Sequence, residues 1–250
     1  MLLPVGIQIK TALLLVLACC VDAQSFEVAS IRLHTDRVTQ IGVNNSGPRV
    51  RMFAMTVANL AGYAYNLKSY EISGGPGWAA ADRYDIEAKA EGEGVPDAAQ
   101  IRLMIQELLT GRFQMKFHRE MREIPVYALV IGKSGPKFKE SAPDAQQLLR
   151  MSGAAQVTQI VVTKGGMEQL ARQFSNSNGV DRPVIDRTGL TGTYDYKLSW
   201  ALDVSSALPD SPEAVSIFTA LQEQLGLKLE ATKAPVEFLV IDSAERPSEN

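Results

Sequence analysis

The sequence contains one apolar stretch twice, as Pro125-Val126-Tyr127-Ala128-Leu129-Val130-Ile131 and as Pro235-Val236-Glu237-Phe238-Leu239-Val240-Ile241. The two stretches lie 110 residues apart (235 − 125), and each opens with a proline. Short runs rich in Val, Ile, Leu and aromatic residues are typical of buried β-strands. We therefore predict that each of two similar halves of the chain closes with such a strand.

Two further pairs of dipeptides recur at the same spacing. Leu60-Ala61 is matched by Leu170-Ala171, and Tyr84-Asp85 is matched by Tyr194-Asp195. The first pair lies in helical patterns and the second in alternating strand patterns. Because three matches share one spacing and one element order, we interpret the chain as an internal duplication. The alternative is a chance agreement between two α+β segments.

The repeat predicts the fold class and the division of the chain. Each half reads as strand, helix, short strand, strand, helix and closing hairpin, so we predict an α+β protein with two tandem copies of this unit. The first copy is assigned to residues 24–132 and the second to residues 151–250. Residues 133–150 are polar and contain two prolines, so we predict that they form a linker.

Capping patterns mark two helices in the first half. Thr56 is a predicted N-cap for a helix that continues to about Asn66. Asp97 and Gln100 form a predicted capping box, and the helix behind them is expected to end near Gly111.

Each half is also predicted to close with a β-hairpin. In the first half, the charged run His118–Glu123 is the expected turn before the strand Ile124–Gly132. In the second half, Leu227–Glu230 and Val236–Ile241 are the expected strands of the hairpin.

Residues 1–23 carry the parts of a secretory signal peptide. Lys10 supplies a positive charge, Ala12–Val21 is continuously apolar, and Val21-Asp22-Ala23 places small residues before a cut at Gln24. The apolar run is about half of the roughly 20 residues that a membrane-spanning helix needs. We therefore predict an exported protein, periplasmic or extracellular, without an integral membrane segment in the mature chain.

Two alternatives stay open at the N-terminus. The segment could remain attached as an uncleaved anchor. Alternatively, Val16-Leu17-Ala18-Cys19 loosely resembles a lipobox, which would make the protein a lipoprotein anchored through Cys19.

Composition excludes several partners and cofactors. The formal net charge is −3 and the sequence has no basic block, so nucleic acid is not a predicted partner. The only cysteines, Cys19 and Cys20, lie in the predicted signal peptide, so the mature chain would have no thiol. Neither His34 nor His118 has further ligands at metal-binding spacing, and we predict no metal and no cofactor.

No catalytic motif is predicted. The sequence has neither the His-Glu-x-x-His of zinc peptidases nor the Gly-x-Ser-x-Gly of esterases. Asp186-Arg187-Thr188-Gly189 is similar to the Asp-Thr-Gly of aspartic proteases, but Arg187 interrupts the motif. The first half also lacks the second carboxylate that such a dyad needs, so we reject this interpretation.

Three residues are candidates for a binding role. Asp85 and Asp195 recur in both halves on the strand face opposite the apolar residues, where a solvated position or a cross-strand partner is the simpler explanation. Trp78 follows a Gly-Gly-Pro-Gly loop. It could be a stacking platform for a sugar or peptide, although such a tryptophan more often covers the edge of a core.

Several motifs together resemble the soil-associated protein family of soil bacteria, which is an exported domain of unknown function. They are Phe26–Ile31, Ile72–Trp78, Arg83–Ile86, Arg182–Asp186 with Thr188–Gly192, Leu221–Leu229, and Val240–Asp242 with Glu245–Asn250. The repeat unit also loosely resembles the short N-terminal domain of secretins and TonB-linked receptors, best over residues 167–242. That resemblance implies a noncatalytic role in envelope interactions. Neither family supplies catalytic residues.

Three functions are consistent with the sequence. The leading hypothesis is an exported, noncatalytic binding or interaction module of the bacterial cell envelope, whose partner is an envelope protein or a small extracytoplasmic ligand. The second is an exported hydrolase that uses carboxylates brought together by the fold, which would show raised pKa values. The third is a structural envelope component that self-assembles through strand edges.

Overall fold

The computed structural model describes residues 25–154, 157–175, 179–201 and 215–248. These residues form α-helices together with three four-stranded sheets, so the predicted mixture of α and β structure is confirmed. The predicted signal peptide, including Cys19 and Cys20, lies outside the described residues.

The elements follow one another as follows. The first half contains β1 (Phe26–Leu33), β2 (Gly42–Ser46), β3 (Arg49–Met55), α1 (Val57–Ala64), β4 (Ile72–Gly74), α2 (Trp78–Ala81), β5 (Tyr84–Ala90), α3 (Ala98–Arg112) and β6 (Lys116–Ile131). The second half contains β7 (Lys139–Glu140), β8 (Leu148–Ala154), β9 (Val157–Gly165), α4 (Met167–Phe174), β10 (Val184–Asp186), β11 (Tyr194–Ala201), α5 (Ile217–Ala220) and β12 (Leu227–Ser243). A 3₁₀ turn (Ser69–Glu71) precedes β4, and a π-helical segment (Leu221–Leu225) continues α5. Residues 133–150, the predicted linker, therefore contain β7 and the first residues of β8.

Two compact units divide the chain. Unit 1 combines the chain up to His118 with the stretch that begins at Leu239, and unit 2 consists of Arg119–Phe238. The boundaries fall inside β6 and β12, so each of these strands contributes residues to both units. The boundaries of the compact units, after His118 and after Phe238, therefore differ from the boundaries predicted for the sequence repeats, at residues 132 and 151.

Unit 1 is built on an antiparallel sheet with the strand order β1–β5–β3–β2. One face packs against α1 and α3, and the core between them includes Ile86, Leu60 and Ile105. The short strand β4 pairs in parallel with Leu239–Ile241 of β12. Gly74 ends β4 with a φ of 77°, and a Cβ there would lie 2.6 Å from the Ile241 carbonyl oxygen, so only glycine fits.

Unit 2 has a second antiparallel sheet with the order β7–β11–β9–β8. α4 and α5 cover its apolar face, where the Phe174 and Trp200 rings meet edge to face at 5.4 Å. The short strand β10 pairs in parallel with Tyr127–Leu129 of β6.

Both predicted helix starts in unit 1 are confirmed, and the predicted end of α3 near Gly111 agrees with the structure to within one residue. The Thr56 hydroxyl accepts a hydrogen bond from the amide of Asn59, and the Asp97 carboxylate accepts bonds from two amides of the first turn of α3. Gly111 lies inside α3, because the helix continues to Arg112. Gln114, with a φ of 48°, turns the chain afterwards.

The two predicted hairpins are wrong. β6 and β12 are continuous strands of 16 and 17 residues. The charged run in β6 lacks the Gly, Asn and Pro residues that tight turns use. Its charges serve instead as strand partners, since Arg119 pairs with Glu237, and Arg122 lies 4.5 Å over the Phe238 ring.

Candidate functional site

Asp85 holds a strained stretch of backbone in unit 1. Its Oδ1 accepts a hydrogen bond from the Ala54 amide at 2.9 Å, and its Oδ2 lies 2.8 Å from His34 Nδ1. Ala54 has a φ of 48°, in the left-handed region that costs an L-residue about 1–2 kcal/mol. Arg83 donates to the Ala54 carbonyl oxygen at 2.7 Å. The carboxylate and the guanidinium therefore hold this residue from both sides.

The same contacts set the protonation of Asp85. Partial burial tends to raise its pKa, but the hydrogen bonds from the Ala54 amide and from His34, together with the His34 charge, outweigh burial and lower the pKa of Asp85. Asp85 is consequently an ionised hydrogen-bond acceptor at neutral pH.

Asp195 in unit 2 makes a similar set of contacts. The Ser141 hydroxyl donates to Oδ1, and the Lys164 amide donates to the same oxygen at 3.0 Å. Lys164 has a φ of 57°, again in the left-handed region. The Ser141 hydroxyl and then the Lys164 amide lower the pKa of Asp195, and burial opposes them only weakly. Both aspartates thus bind the amide of a residue with positive φ.

His34 is not placed to exchange a proton with a ligand. Its Nδ1 faces Asp85, while its Nε2 is buried without a hydrogen-bond partner among the described residues. A general base must come within hydrogen-bond reach of its substrate. In this conformation, the His34–Asp85 pair stabilises the backbone at Ala54, and neither imidazole nitrogen faces a ligand.

Trp78 lies at the edge of the unit 1 core. It begins α2, is half-buried and packs against the core residues. The Arg246 guanidinium lies 5.0 Å from the centroid of its ring and donates to Asp82 Oδ2 at 2.9 and 3.1 Å. Burial, and then the Asp82 charge, raise the pKa of the neighbouring Tyr84 against the opposing effect of Arg246. One side of the indole is therefore close to a cation of the same unit.

The other residues considered in the sequence have local roles. Asp186 accepts hydrogen bonds at 2.8 Å from the amide and the hydroxyl of Thr188, which closes a turn after β10. His118 pairs with Asp242 at 2.8 Å on an exposed surface. Within the described ranges, no three His, Cys, Asp or Glu side chains are grouped as a metal site. Nor does any helix in these ranges have the length and apolar character needed to cross a membrane.

A cleft that the sequence reasoning missed lies on the outer face of the unit 1 sheet. It has a volume of about 430 Å³ and is lined by Asn44, Ser46, Pro48, Arg49, Arg51 and Phe53. Strand alternation explains the lining. Val50 and Met52 point into the core, and the residues that alternate with them, Arg49, Arg51 and Phe53, point outward. Pairing places Ser46 opposite Arg49 and Asn44 opposite Arg51.

The cleft was missed because β2 was not predicted. Asn44, Asn45 and Ser46 are residues typical of loops, and only Val43 of this strand packs against the core. The available signal was the Gly47-Pro48 turn next to the alternating pattern of β3. Gly47 has a φ of 59°, as the first central residue of a two-residue hairpin turn requires.

One comparison with known proteins gives a match. The family model described as "Protein of unknown function (DUF3738)" matches residues 58–244, about three quarters of the chain. No curated protein and no solved structure matches.

Proposed function

The chain belongs to the DUF3738 family, a family of unknown function, and we propose that it is an exported, noncatalytic binding or interaction module of the bacterial cell envelope. The observation that carries this proposal is the cleft on the outer face of the unit 1 sheet. Its polar lining residues are exposed and take no part in the core. Concave sites with a few convergent polar groups are where proteins bind ligands.

The contacts of the aspartates support a noncatalytic role. A carboxyl group that acts as a general acid at neutral pH needs a raised pKa. The pKa values of Asp85 and Asp195 are both lowered, and each carboxylate is engaged by a backbone amide. These contacts argue against the alternative of a carboxylate-dependent hydrolase.

We also infer that the chain arose by duplication of one small unit. In support of this, α1 and α4 begin 110 residues apart (167 − 57). Ala54 and Lys164, whose φ values are positive, have the same separation (164 − 54), and each donates its amide to an aspartate. A repeated noncatalytic unit agrees with the loose resemblance to envelope docking domains of secretins and TonB-linked receptors.

Site-specific photo-cross-linking tests the binding face. We expect a photoreactive residue at Asn44, in the cleft, to cross-link the full-length protein to an envelope component in intact cells. The matched control is Leu103, which is 51% exposed on α3, the helix layer on the other face of the same sheet. Cross-links of equal yield and identity at both positions would contradict a binding role for the cleft.

Export is part of the same proposal and has its own test. The intact mass of the protein purified from its native compartment should correspond to a chain that begins at Gln24. A mass that corresponds to a chain beginning at a lipidated Cys19 would instead support the lipoprotein alternative, and the mass of the full-length chain would support the uncleaved anchor.

One observation favours the self-assembling alternative. β8 is an edge strand of the unit 2 sheet, and on it Leu149 and Met151 are 45% and 52% exposed. Exposed apolar edge strands promote pairing with other chains. Sedimentation of the purified protein at increasing concentrations discriminates the two functions: a constant monomer mass argues for the binding module, and a rising mass that Met151→Lys abolishes argues for assembly.

A further inference from the structure

The cleft on the unit 1 sheet offers hydrogen-bond donors and no carboxylate. Its polar lining consists of Asn44, Ser46, Arg49 and Arg51. The side chains of Asn44, Ser46 and Arg49 make no hydrogen bond or ion pair to other described residues, so their donors are available to a ligand. Arg51 approaches Glu87 only at 3.6 Å, and both side chains are more than half exposed. Such a contact is weak and leaves most of the guanidinium free.

Positive charge is in excess at the cleft, although the chain as a whole is acidic. Arg49 lies opposite Lys89 on β5, but Lys89 is already paired with Glu27 at 2.6 Å. Arg49 therefore remains an uncompensated cation in a protein whose formal net charge is −3. An anionic group is the partner that arginine binds best, through two parallel hydrogen bonds.

The cleft also has an apolar part. Phe53 is half-buried on the outer face and does not pack against the unit 1 core. It lies opposite Gly42, around which no atom would come within 4 Å of an added Cβ. The glycine thus leaves room beside the Phe53 ring. Phe53 follows Arg51 by two strand positions, or roughly 7 Å, which is the scale of a small ring or side chain.

From these features we propose that the cleft binds a carboxylate-bearing ligand. The carboxylate lies on Arg49 and Arg51, the body of the ligand covers Phe53, and Asn44 and Ser46 hydrogen-bond its polar groups. This inference rests on the proposed binding function and adds the chemical class of the ligand. The volume of about 430 Å³ fits a few sugar or peptide residues rather than a folded protein.

Two sources supply such a carboxylate in the envelope, namely sugar acids and the C-termini of peptides. Calorimetric titration of the mature protein distinguishes them with two matched pairs of probes. One pair is trigalacturonate and its methyl ester, and the other is acetyl-Ala-Ala-Phe with a free carboxylate and the same peptide as its amide. We expect at least one acid to bind, and its neutral counterpart to bind at least roughly tenfold more weakly, since it lacks the charge-assisted hydrogen bonds to the arginines.

Variants test whether the arginines are responsible. Arg49→Gln and Arg51→Gln should each weaken acid binding by roughly tenfold, and Arg49→Glu should abolish it. The matched control is Arg32→Gln, because Arg32 is exposed on β1 opposite Asp85, outside the cleft. It should bind like the unchanged protein. Circular dichroism of each variant verifies the fold, and the three positions concerned, 32, 49 and 51, are all exposed.

The outcomes separate this inference from the proposed function. Preference for trigalacturonate identifies sugar acids, and preference for the peptide acid identifies peptide C-termini. The inference is overturned if neither acid binds more tightly than its neutral counterpart, or if Arg49→Gln binds the acid unchanged. If acids fail while cross-linking at Asn44 still succeeds, the binding module stands with a ligand of another class.

Discussion

Unit 1 and unit 2 each hold an aspartate against a residue with positive φ, yet they surround it differently. Asp85 binds the amide of Ala54, and Asp195 binds the amide of Lys164. The second partner is the His34 imidazole in unit 1 and the Ser141 hydroxyl in unit 2. The shared part of the arrangement is therefore the carboxylate and the strained backbone.

Burial is the larger difference between the two sites. Ala54 is fully buried, whereas Lys164 is half-buried. The side chain of Asp85 is 42% exposed, and Asp195 lies on the surface. Water can replace a lost acceptor in unit 2 more easily than in unit 1. The comparison indicates that the same contact stabilises unit 1 more than unit 2.

The largest effect is expected from Asp85→Ala. It leaves the buried Ala54 amide without its acceptor, which costs about 1–3 kcal/mol in a closed site. Because the Asp85 side chain is 42% exposed, solvent screens part of this loss, and we expect a decrease of about 1 kcal/mol in the free energy of unfolding. Asp195→Ala should lower it less. Urea unfolding gives both values, and hydrogen exchange of the Ala54 and Lys164 amides assigns each to its unit.

Glu87→Ala is the matched control for this comparison. Glu87 lies two residues from Asp85 on the same face of β5, is 72% exposed, and has only a distant ion-pair partner. Its removal should change stability by less than about 0.5 kcal/mol. A loss in Asp195→Ala as large as that in Asp85→Ala would break the proposed difference between the units.

Local patterns in the sequence predicted most of the regular structure. The period of two in β5 and β11 and the capping residues Thr56 and Asp97 act between near neighbours, so they can be recognised without the fold. The same alternation placed Asp85 and Asp195 on the polar strand faces. The predicted α+β class follows from these elements.

The hairpins and the site depended on contacts between distant residues. The charged run of β6 resembles a turn until its partners are known, and one of these, Glu237, lies 118 residues away. The role of Asp85 depends on the conformation of Ala54, 31 residues earlier, for which an alanine gives no signal. β2 is polar because it lies at a sheet edge, and the cleft was missed with it.

A smaller effect is expected when glycine replaces the residues with positive φ. Glycine adopts this conformation without steric cost, so Lys164→Gly should raise the free energy of unfolding by about 0.5–1 kcal/mol. Ala54→Gly relieves the same strain but loses a fully buried methyl group worth about 0.8 kcal/mol, so its net change should be near zero. Urea unfolding measures both. Thr163, the residue before Lys164, does not have a positive φ, so Thr163→Gly is the control. It should lower the free energy of unfolding by about 0.5–1 kcal/mol.

An equal rise in the free energy of unfolding in Lys164→Gly and Ala54→Gly would show that burial does not distinguish the two sites. A loss in Lys164→Gly as large as that in Thr163→Gly would show that the positive φ of Lys164 carries no strain.

The smallest effect is the dependence of stability on pH. The pKa of Asp85 is lower in the folded chain than in the unfolded chain, so its ionised form adds stability above the unfolded value of about 3.9. This contribution is lost as the pH falls through the folded pKa. Asp85→Asn should therefore be less stable than the unchanged protein at pH 7, by less than about 1 kcal/mol because the group is partly exposed. The two should converge toward pH 3.

Urea midpoints of both proteins between pH 7 and pH 3 measure this difference, and Glu87→Gln, at an exposed position on the same face of β5, serves as the control. Asp195→Asn should follow the same course as Asp85→Asn with a smaller gap, because the pKa of Asp195 is also lowered but its site is open to water. A gap that stays constant or widens as the pH falls would mean that the Asp85 charge does not stabilise the fold. The Ala54 amide would then need only a neutral acceptor, and the difference between the two units would come from burial alone.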